Sequence, residues 1–303
     1  MDIKHIIWPV VISLVVHLTL ITATGAIDLR RNIPDMEILT VDIREIYPKI
    51  PQSQAEDKYE PSNSPDKGAE KKVAVDDGWI DVFQTNDTAP NFLFQNRGDG
   101  RFQDVALEAE VAFDPSGRTT GAMATDAEDV NGDGRLDLLV TNFNSQGTFL
   151  HTNAGGMRFV DRGAIVGLSM ATFKHSSFGA RFLDYDNDGD PDLFIAAGHP
   201  FAPVAKVWPE IRYADPPFLF ENEGGRFTNV AADRGEALRE SHVGRGVAVG
   251  DYDDDGDPDV LLICVGEPVR LLRNDGGNRG GWLGVRLVGT RSGRDAIGAR
   301  VAV

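Results

Sequence analysis

The sequence is short of cysteine, of positive charge and of helical periodicity, and each shortage removes a class of protein. One cysteine in 303 residues, Cys264, permits no disulfide within the chain and no metal cluster of several thiolates. Set in the apolar run DVLLICVGE, it reads as a buried strand thiol. Against 30 Lys and Arg stand 47 Asp and Glu, a formal charge of −17. That excess argues against a nucleic-acid or anionic-lipid surface and for cations or basic partners. Apolar positions seldom recur at helical spacing, whereas 33 Gly punctuate short apolar runs, the pattern of short strands joined by tight turns. A hydrophobic share of 41% is enough to bury a core. No Gly-x-Ser-x-Gly elbow occurs, so no nucleophile motif supports hydrolysis.

The chain reads as four segments. Residues 1–30 hold a charge-free stretch, 6–27, close to the ~20 residues that span a bilayer core as a helix. They are expected to form a transmembrane anchor or a signal segment. The length of the apolar run favours the anchor, while TATGA at 22–26 would suit cleavage. Residues 31–72, rich in Pro, Ser, Gln and mixed charge, read as a flexible linker. Residues 73–277 are repetitive, and 278–303 form a short terminal segment. Within the anchor Ser13 and His17 lie four apart, on one helix face. This SLVVH spacing, followed by MEILTVDI and a Pro-containing polar stretch, resembles the N-terminus of TonB-type energy transducers. The resemblance implies that Ser13 and His17 face a proton-driven motor complex in the inner membrane.

Each repeat has an acidic Gly-containing loop, an apolar run (LDLLVTN, PDLFIAAG, PDVLLICVG) and a hairpin closed by Asn and Gly. Asp77, Asp133, Asp188 and Asp255, each just before the loop Gly, are spaced 56, 55 and 67 residues apart. The longest gap contains an insertion, 200–217, rich in Pro and aromatics. Units of this size and strand content suit four-stranded blades, which predicts an all-β fold: a partial or truncated β-propeller of about four blades. Phe92, Phe94, Phe102, Phe149, Phe159, Phe218, Phe220 and Phe227 recur by unit and are expected to pack between blades. His175, His199 and His242 read as turn or blade-edge residues. The tripeptide Arg97-Gly98-Asp99 reads as a hairpin turn.

The acidic loops follow Asp-x-(Asp/Asn)-x-Asp-Gly-x-x-Asp. Alternate positions can turn oxygen ligands inward on one hard cation, Gly at the sixth permits the bend, and the seventh binds through its backbone carbonyl. Oxygen-only donors favour calcium over softer metals. About three calcium sites are therefore expected: Asp129, Asn131, Asp133 and Asp137; Asp184, Asp186, Asp188 and Asp192; Asp251, Asp253, Asp255 and Asp259, with Arg135, Asp190 and Asp257 at the seventh position. A fourth loop, VAVDDGWID, keeps Asp77, Gly78 and Asp81 but has Val73 and Val75 at the first two ligand positions. These loops are not EF-hands, because the twelfth positions, Val140, Ile195 and Leu262, lie in apolar runs.

Upstream of two loops stand SSFGARFLDYDNDGD (176–190) and GRGVAVGDYDDDGD (244–257), which resemble the FG-GAP or VCBS repeat of integrin-alpha-like propellers. NRGGWLGVRLVGTRSGRDAIGARVAV (278–303) is similar to the start of an ASPIC/UnbV domain. The combination resembles bacterial relatives of cartilage acidic protein. It implies a calcium-loaded propeller outside the cytoplasm, either anchored in the inner membrane with a periplasmic body or secreted, and active in adhesion or recognition. Two departures from the pattern, a first repeat without its FG-GAP half and an ASPIC/UnbV-like part that stops as its strands begin, lead to the expectation of a fragment, a transducer-like leader fused to a shortened propeller, or an open arc closed by oligomerisation. The expected partners are a protein or glycan ligand, the membrane through the N-terminal helix, and no nucleic acid. Two other functions follow from the same residues: an energy-coupling membrane protein working through Ser13 and His17, and an enzyme built on the propeller.

Overall fold

Short apolar runs bounded by Gly, Asn and Asp become strands here, and their pairing is antiparallel throughout. The structure, a computed structural model, describes residues 79–277. The chain divides into two units, Met1–Asp66 and Lys67–Val303, and all described residues belong to the second. The anchor, the whole linker, Ser13, His17, residues 73–78 with Val73, Val75, Asp77 and Gly78, and the terminal segment 278–303 lie outside the described residues. Among those described, no helix is long and apolar enough to cross a membrane.

Among the described residues four sheets follow one another in chain order. The first contains β1 (Val82–Gln84), β2 (Phe92–Asn96) and β3 (Phe102–Asp104). The second contains β4 (Ala122–Glu128), β5 (Asp137–Asn142), β6 (Phe149–Gly155) and β7 (Arg158–Asp161). The third contains β8 (Ser177–Leu183), β9 (Asp192–Ala197), β10 (Phe218–Glu223) and β11 (Arg226–Asn229). The fourth contains β12 (Gly244–Gly250), β13 (Asp259–Cys264) and β14 (Arg270–Leu272). Each is a meander in chain order, and together they form the four blades of a partial propeller. Among the described residues helix is confined to short pieces such as α1 (Leu168–Thr172) and α2 (Ala231–Arg234) in the connections.

The apolar runs are continuous rather than alternating because the central strands are covered on both faces. On β9, Leu193, Ile195 and Ala197 enter a core with Leu139, Leu150, Phe220 and Phe227, shared with the second blade. Phe194 and Ala196 point the other way, into a core with Leu219, Val260 and Leu262 shared with the fourth. The first blade corrects one expectation. Leu93, fully buried, packs toward the second blade with Leu138 and Phe159. Phe92 and Phe94 occupy the opposite face, half-buried and stacked at 5.4 Å, and Phe102 on the outer strand is exposed. A similar asymmetry marks the fourth blade, where Leu261 and Ile263 are exposed opposite buried Val260 and Leu262. Only one face of each terminal sheet meets a described neighbour.

The leading strands β4, β8 and β12 lie side by side. Asp126 on β4 pairs with Arg181 of β8 at 3.1 Å and accepts the Phe182 N–H at 3.0 Å. Thr141 donates its hydroxyl to Phe178 O at 2.8 Å. Gly179, in the FGA stretch, faces the β12 backbone so closely that a Cβ would lie 2.7 Å from Arg245 O and 2.9 Å from Val247 N. Since backbone cannot yield as a flexible side chain does, Gly179→Ala is expected to cost about 1–3 kcal/mol by overpacking. Urea unfolding measures this; an unchanged midpoint would mean that β8 and β12 separate freely.

Candidate metal centres

The three acidic loops are built to one plan. In each, the ninth-position Asp opens the second strand and pairs with the last residue of the first: Glu128↔Asp137, Leu183↔Asp192 and Gly250↔Asp259. The loop is thus the hairpin joining the two strands. First-position carboxylates accept backbone N–H groups from the fifth and sixth positions. Asp129 takes those of Asp133 and Gly134 at 3.0 and 2.7 Å, Asp184 those of Asp188 and Gly189 at 3.0 and 2.9 Å, and Asp251 those of Asp255 and Gly256 at 3.1 and 3.0 Å. Asp133, Asp188 and Asp255 then accept from the seventh-position N–H groups of Arg135, Asp190 and Asp257 at 3.0, 2.9 and 3.0 Å. The curl needs left-handed backbone twice. At the sixth position Gly134, Gly189 and Gly256 have φ of 83°, 95° and 94°; at the fourth, Gly132, Asn187 and Asp254 have φ of 70°, 56° and 57°. Gly, Asn and Asp are the residues that tolerate this region best.

The ninth-position Asp is buried in all three loops. One oxygen accepts the second-position N–H: Val130 to Asp137 at 3.4 Å, Tyr185 to Asp192 at 3.0 Å, and Tyr252 to Asp259 at 2.7 Å. The other accepts the N–H of an Asn in the third-strand hairpin: Asn153 at 2.7 Å, and Asn222 and Asn274 each at 2.8 Å. The fourth loop keeps the same link, Asn96 N–H to Asp81 at 2.8 Å. These Asn residues also tie blades together, because Asn222 Nδ2 donates to Val130 O at 3.1 Å and Asn274 Nδ2 to Tyr185 O at 2.6 Å, each in the preceding blade's loop. In the sequence the recurring Asn reads only as hairpin punctuation. The signal present in the sequence is an Asn-x-Gly that closes each hairpin, at Asn96, Asn153, Asn222 and Asn274.

In the third blade, oxygens of Asp184, Asp186 and Asp192 lie within 4.8 Å of one another; in the fourth, those of Asp251, Asp253 and Asp255 do. Asp186 Oδ1 is buried and has no hydrogen-bond donor. Burial pushes the Asp192 carboxyl up to about 7 and that of Asp137 up to about 6, against the pull of their backbone N–H bonds. Asp186 is raised by burial and then by Asp188, Glu221 and Asp184. Carboxylates this crowded repel one another, with Arg273 Nη1 3.9 Å from Asp253 as a distant cation in the fourth blade, and the oxygen-only donor set fits a hard divalent ion. The second-blade loop differs. There Asn131 replaces one carboxylate, and Arg135 Nη2 pairs with Asp133 Oδ2 at 2.6 Å. At the same position in the other loops, Asp190 accepts the Gly224 N–H at 3.1 Å and Asp257 accepts Asn187 Nδ2 at 3.1 Å.

The histidines singled out in the sequence sit in connections at the opposite strand ends. His175 Nδ1 is 3.1 Å from Asp215 Oδ2, and His199 and His242 are buried. Arg97, Gly98 and Asp99 form a tight turn closed by the Arg97 N–H to Arg101 O at 2.9 Å.

A model of the FG-GAP-like repeat matches residues 76–140 and 129–195, each match running from one acidic loop into the strand after the next. Cartilage acidic protein 1 of Xenopus tropicalis is 32% identical over 231 residues, covering 74% of this chain and 33% of its own length. The Homo sapiens protein of the same name is 32% identical over 231 residues, covering 74% of this chain and 32% of its own. The chain thus spans about a third of the length of the curated relatives it matches. A solved Agrocybe aegerita lectin, described as specifically recognising non-reducing terminal N-acetylglucosamine, aligns over 64% of this chain and 49% of its own, with 22% identity and a TM-score of 0.33.

Proposed function

The chain carries FG-GAP-like repeats and is related to cartilage acidic protein 1, and from that premise we propose that it is a non-catalytic, calcium-stabilised interaction module working outside the cytoplasm. The observation that carries this reading is the shared plan of three loops, with carboxylate oxygens of two of them within 4.8 Å. In the third blade, Asp184, Asp186 and Asp192 would hold the ion, and in the fourth Asp251, Asp253 and Asp255. In the second, Asp129 and Asn131 share the task with an Asp133 already paired to Arg135. Bound calcium would add positive charge among carboxylates that otherwise repel one another. The protein's own contribution is the preformed curl, held by carboxylate-to-N–H bonds, and the buried ninth-position Asp that couples each loop to its blade. At the millimolar calcium of extracellular fluids even modest sites fill.

The module would present its loop face to a protein or glycan, either from an inner-membrane anchor or as an exported protein. A cleft of about 650 Å³ between the third and fourth blades opens beside the loops, lined by Tyr185, Asp186, Arg234 and Arg273 among others, and suits a polar ligand segment. Calorimetric titration of the full chain tests the metal reading, with about three calcium ions expected per chain. Loss of heat on adding calcium to Asp186→Ala in proportion to one site would agree; wild-type heats no larger than buffer dilution would refute it. A finer prediction concerns Arg135. Exposed ion pairs are worth up to ~1 kcal/mol, so Arg135→Gln should tighten calcium at the second-blade loop by up to about fivefold. Unchanged or weaker binding there would show that Arg135 does not compete.

A further inference from the structure

Three donors of different chemistry converge at the strand ends remote from the acidic loops. His242 precedes β12, Cys264 closes β13 and Glu267 lies in the turn before β14. A ring nitrogen, the thiol sulfur and a carboxylate oxygen, one from each, lie within 4.8 Å of one another. The imidazole is only 6% exposed, with Nδ1 2.8 Å from Glu267 Oε2. Its Nε2 is buried without a hydrogen bond, and Glu240 Oε2 stands 3.5 Å away. The backbone fixes the ring's position, because His242 and Asp215 exchange N–H to carbonyl bonds at 2.9 and 3.0 Å. Cys264 is buried and, as the one cysteine, has no disulfide partner within the chain. Oxygen alone suits a hard cation, whereas nitrogen, sulfur and oxygen together suit a borderline divalent ion such as zinc.

The geometry points to a zinc-type centre held by His242, Cys264 and Glu267, separate from the acidic loops and different in chemistry. Tetrahedral zinc ligands stand about 3.3–3.6 Å apart, so the sulfur needs to close by no more than ~1.5 Å, while His242 Nδ1 and Glu267 Oε2, now 2.8 Å apart, open by about 0.5 Å. His242 binds through Nδ1, and its Nε2–H is then directed to Glu240, the carboxylate support that ligating histidines commonly have. Water completes the shell. Cys264 binds as the thiolate and releases its proton to solvent. Arg270 now bridges the two carboxylates, Nη1 3.0 Å from Glu240 and Nε 3.4 Å from Glu267, and is the cation the metal displaces from Glu267. Such an ion ties the β13–β14 turn to the start of β12 and, through Asp215, to the insertion of the third blade. It is a cross-link where the sequence supplies no disulfide.

Cobalt(II) titration of the full chain, reduced and with calcium in excess, tests this. The expected result is a near-ultraviolet thiolate-to-cobalt charge-transfer band that saturates at one cobalt per chain, with one proton released per metal and the band bleached by zinc. Cobalt in the acidic loops has no sulfur ligand and gives no such band. Cys264→Ser should abolish it. Glu267→Gln, in a partly exposed turn where folding is not at stake, should weaken zinc by more than tenfold, and Glu240→Gln by about tenfold. A folded wild-type chain without the band overturns the site. So does a band whose midpoint stays unchanged in both Glu267→Gln and His242→Gln, since the thiol would then bind alone.

Discussion

Asp192→Ala is expected to cost about 2–6 kcal/mol of folding stability in calcium, because two backbone N–H groups, one buried and one half-buried, lose their acceptor at about 1–3 kcal/mol each. Those groups are Tyr185 N–H at 3.0 Å and Asn222 N–H at 2.8 Å. An opposing effect works in the ion-free protein. There the buried carboxylate, with its pKa pushed up to about 7, carries a desolvation penalty that the substitution removes. The loss should therefore be smaller in chelator than in calcium, where the ion already compensates the charge. Asp192→Asn retains one side-chain acceptor and should fall between Ala and wild type. Urea unfolding in both conditions decides it. A loss under about 0.5 kcal/mol in calcium, the range of neutral surface changes, would mean that the ninth-position Asp does not anchor the loop.

The second large effect belongs to Asn222→Ala. This side chain is fully buried and makes three bonds: Nδ2 donates to Val130 O at 3.1 Å and Pro191 O at 3.0 Å, and Oδ1 accepts from Gly225 at 2.8 Å. Removing it strands three backbone groups, for a total of about 3–5 kcal/mol after some relaxation toward water. Because Val130 belongs to the second-blade loop, the change should also weaken calcium at that loop, although Asn222 is remote from its carboxylates in sequence. A double-mutant cycle with Asp192→Ala should show coupling of about 0.5–3 kcal/mol, since the two residues share one network. Strict additivity, together with unaltered calcium binding at the second blade, would separate the Asn from the loops.

The strands and the acidic loops were legible because both depend on local pattern. An apolar run between a nine-residue acidic motif and an Asn-Gly hairpin leaves little choice of structure, and Asp137, Asp192 and Asp259 fall in equivalent registers as the spacing implied. What the sequence concealed depends on partners. Phe92, Phe94 and Phe102 recur like the buried Phe218, Phe220 and Phe227, yet they face away from the one described neighbour of their sheet. Burial there is decided by which blade lies alongside. Arg135 reads as an ordinary seventh-position residue, and only the fold shows its guanidinium on Asp133. His242, Cys264 and Glu267 belong to no motif, because a strand end, a bridge to the insertion and a turn bring them together. His151, buried on β6 with both ring nitrogens unpartnered, had no sequence signal either.

The central claim is that calcium in the acidic loops stiffens the blades, and a thermal melt of the full chain in calcium, in equal magnesium and in excess chelator tests it most directly. Each site filled at about a hundred times its Kd adds ~2.7 kcal/mol, or about 5–10 °C for a body of this size. The prediction is a melting temperature raised by at least that much in calcium, with little rise in magnesium, which gives up its waters reluctantly. A folded protein with one melting temperature under all three conditions would contradict the account and reduce the loops to solvated acidic turns.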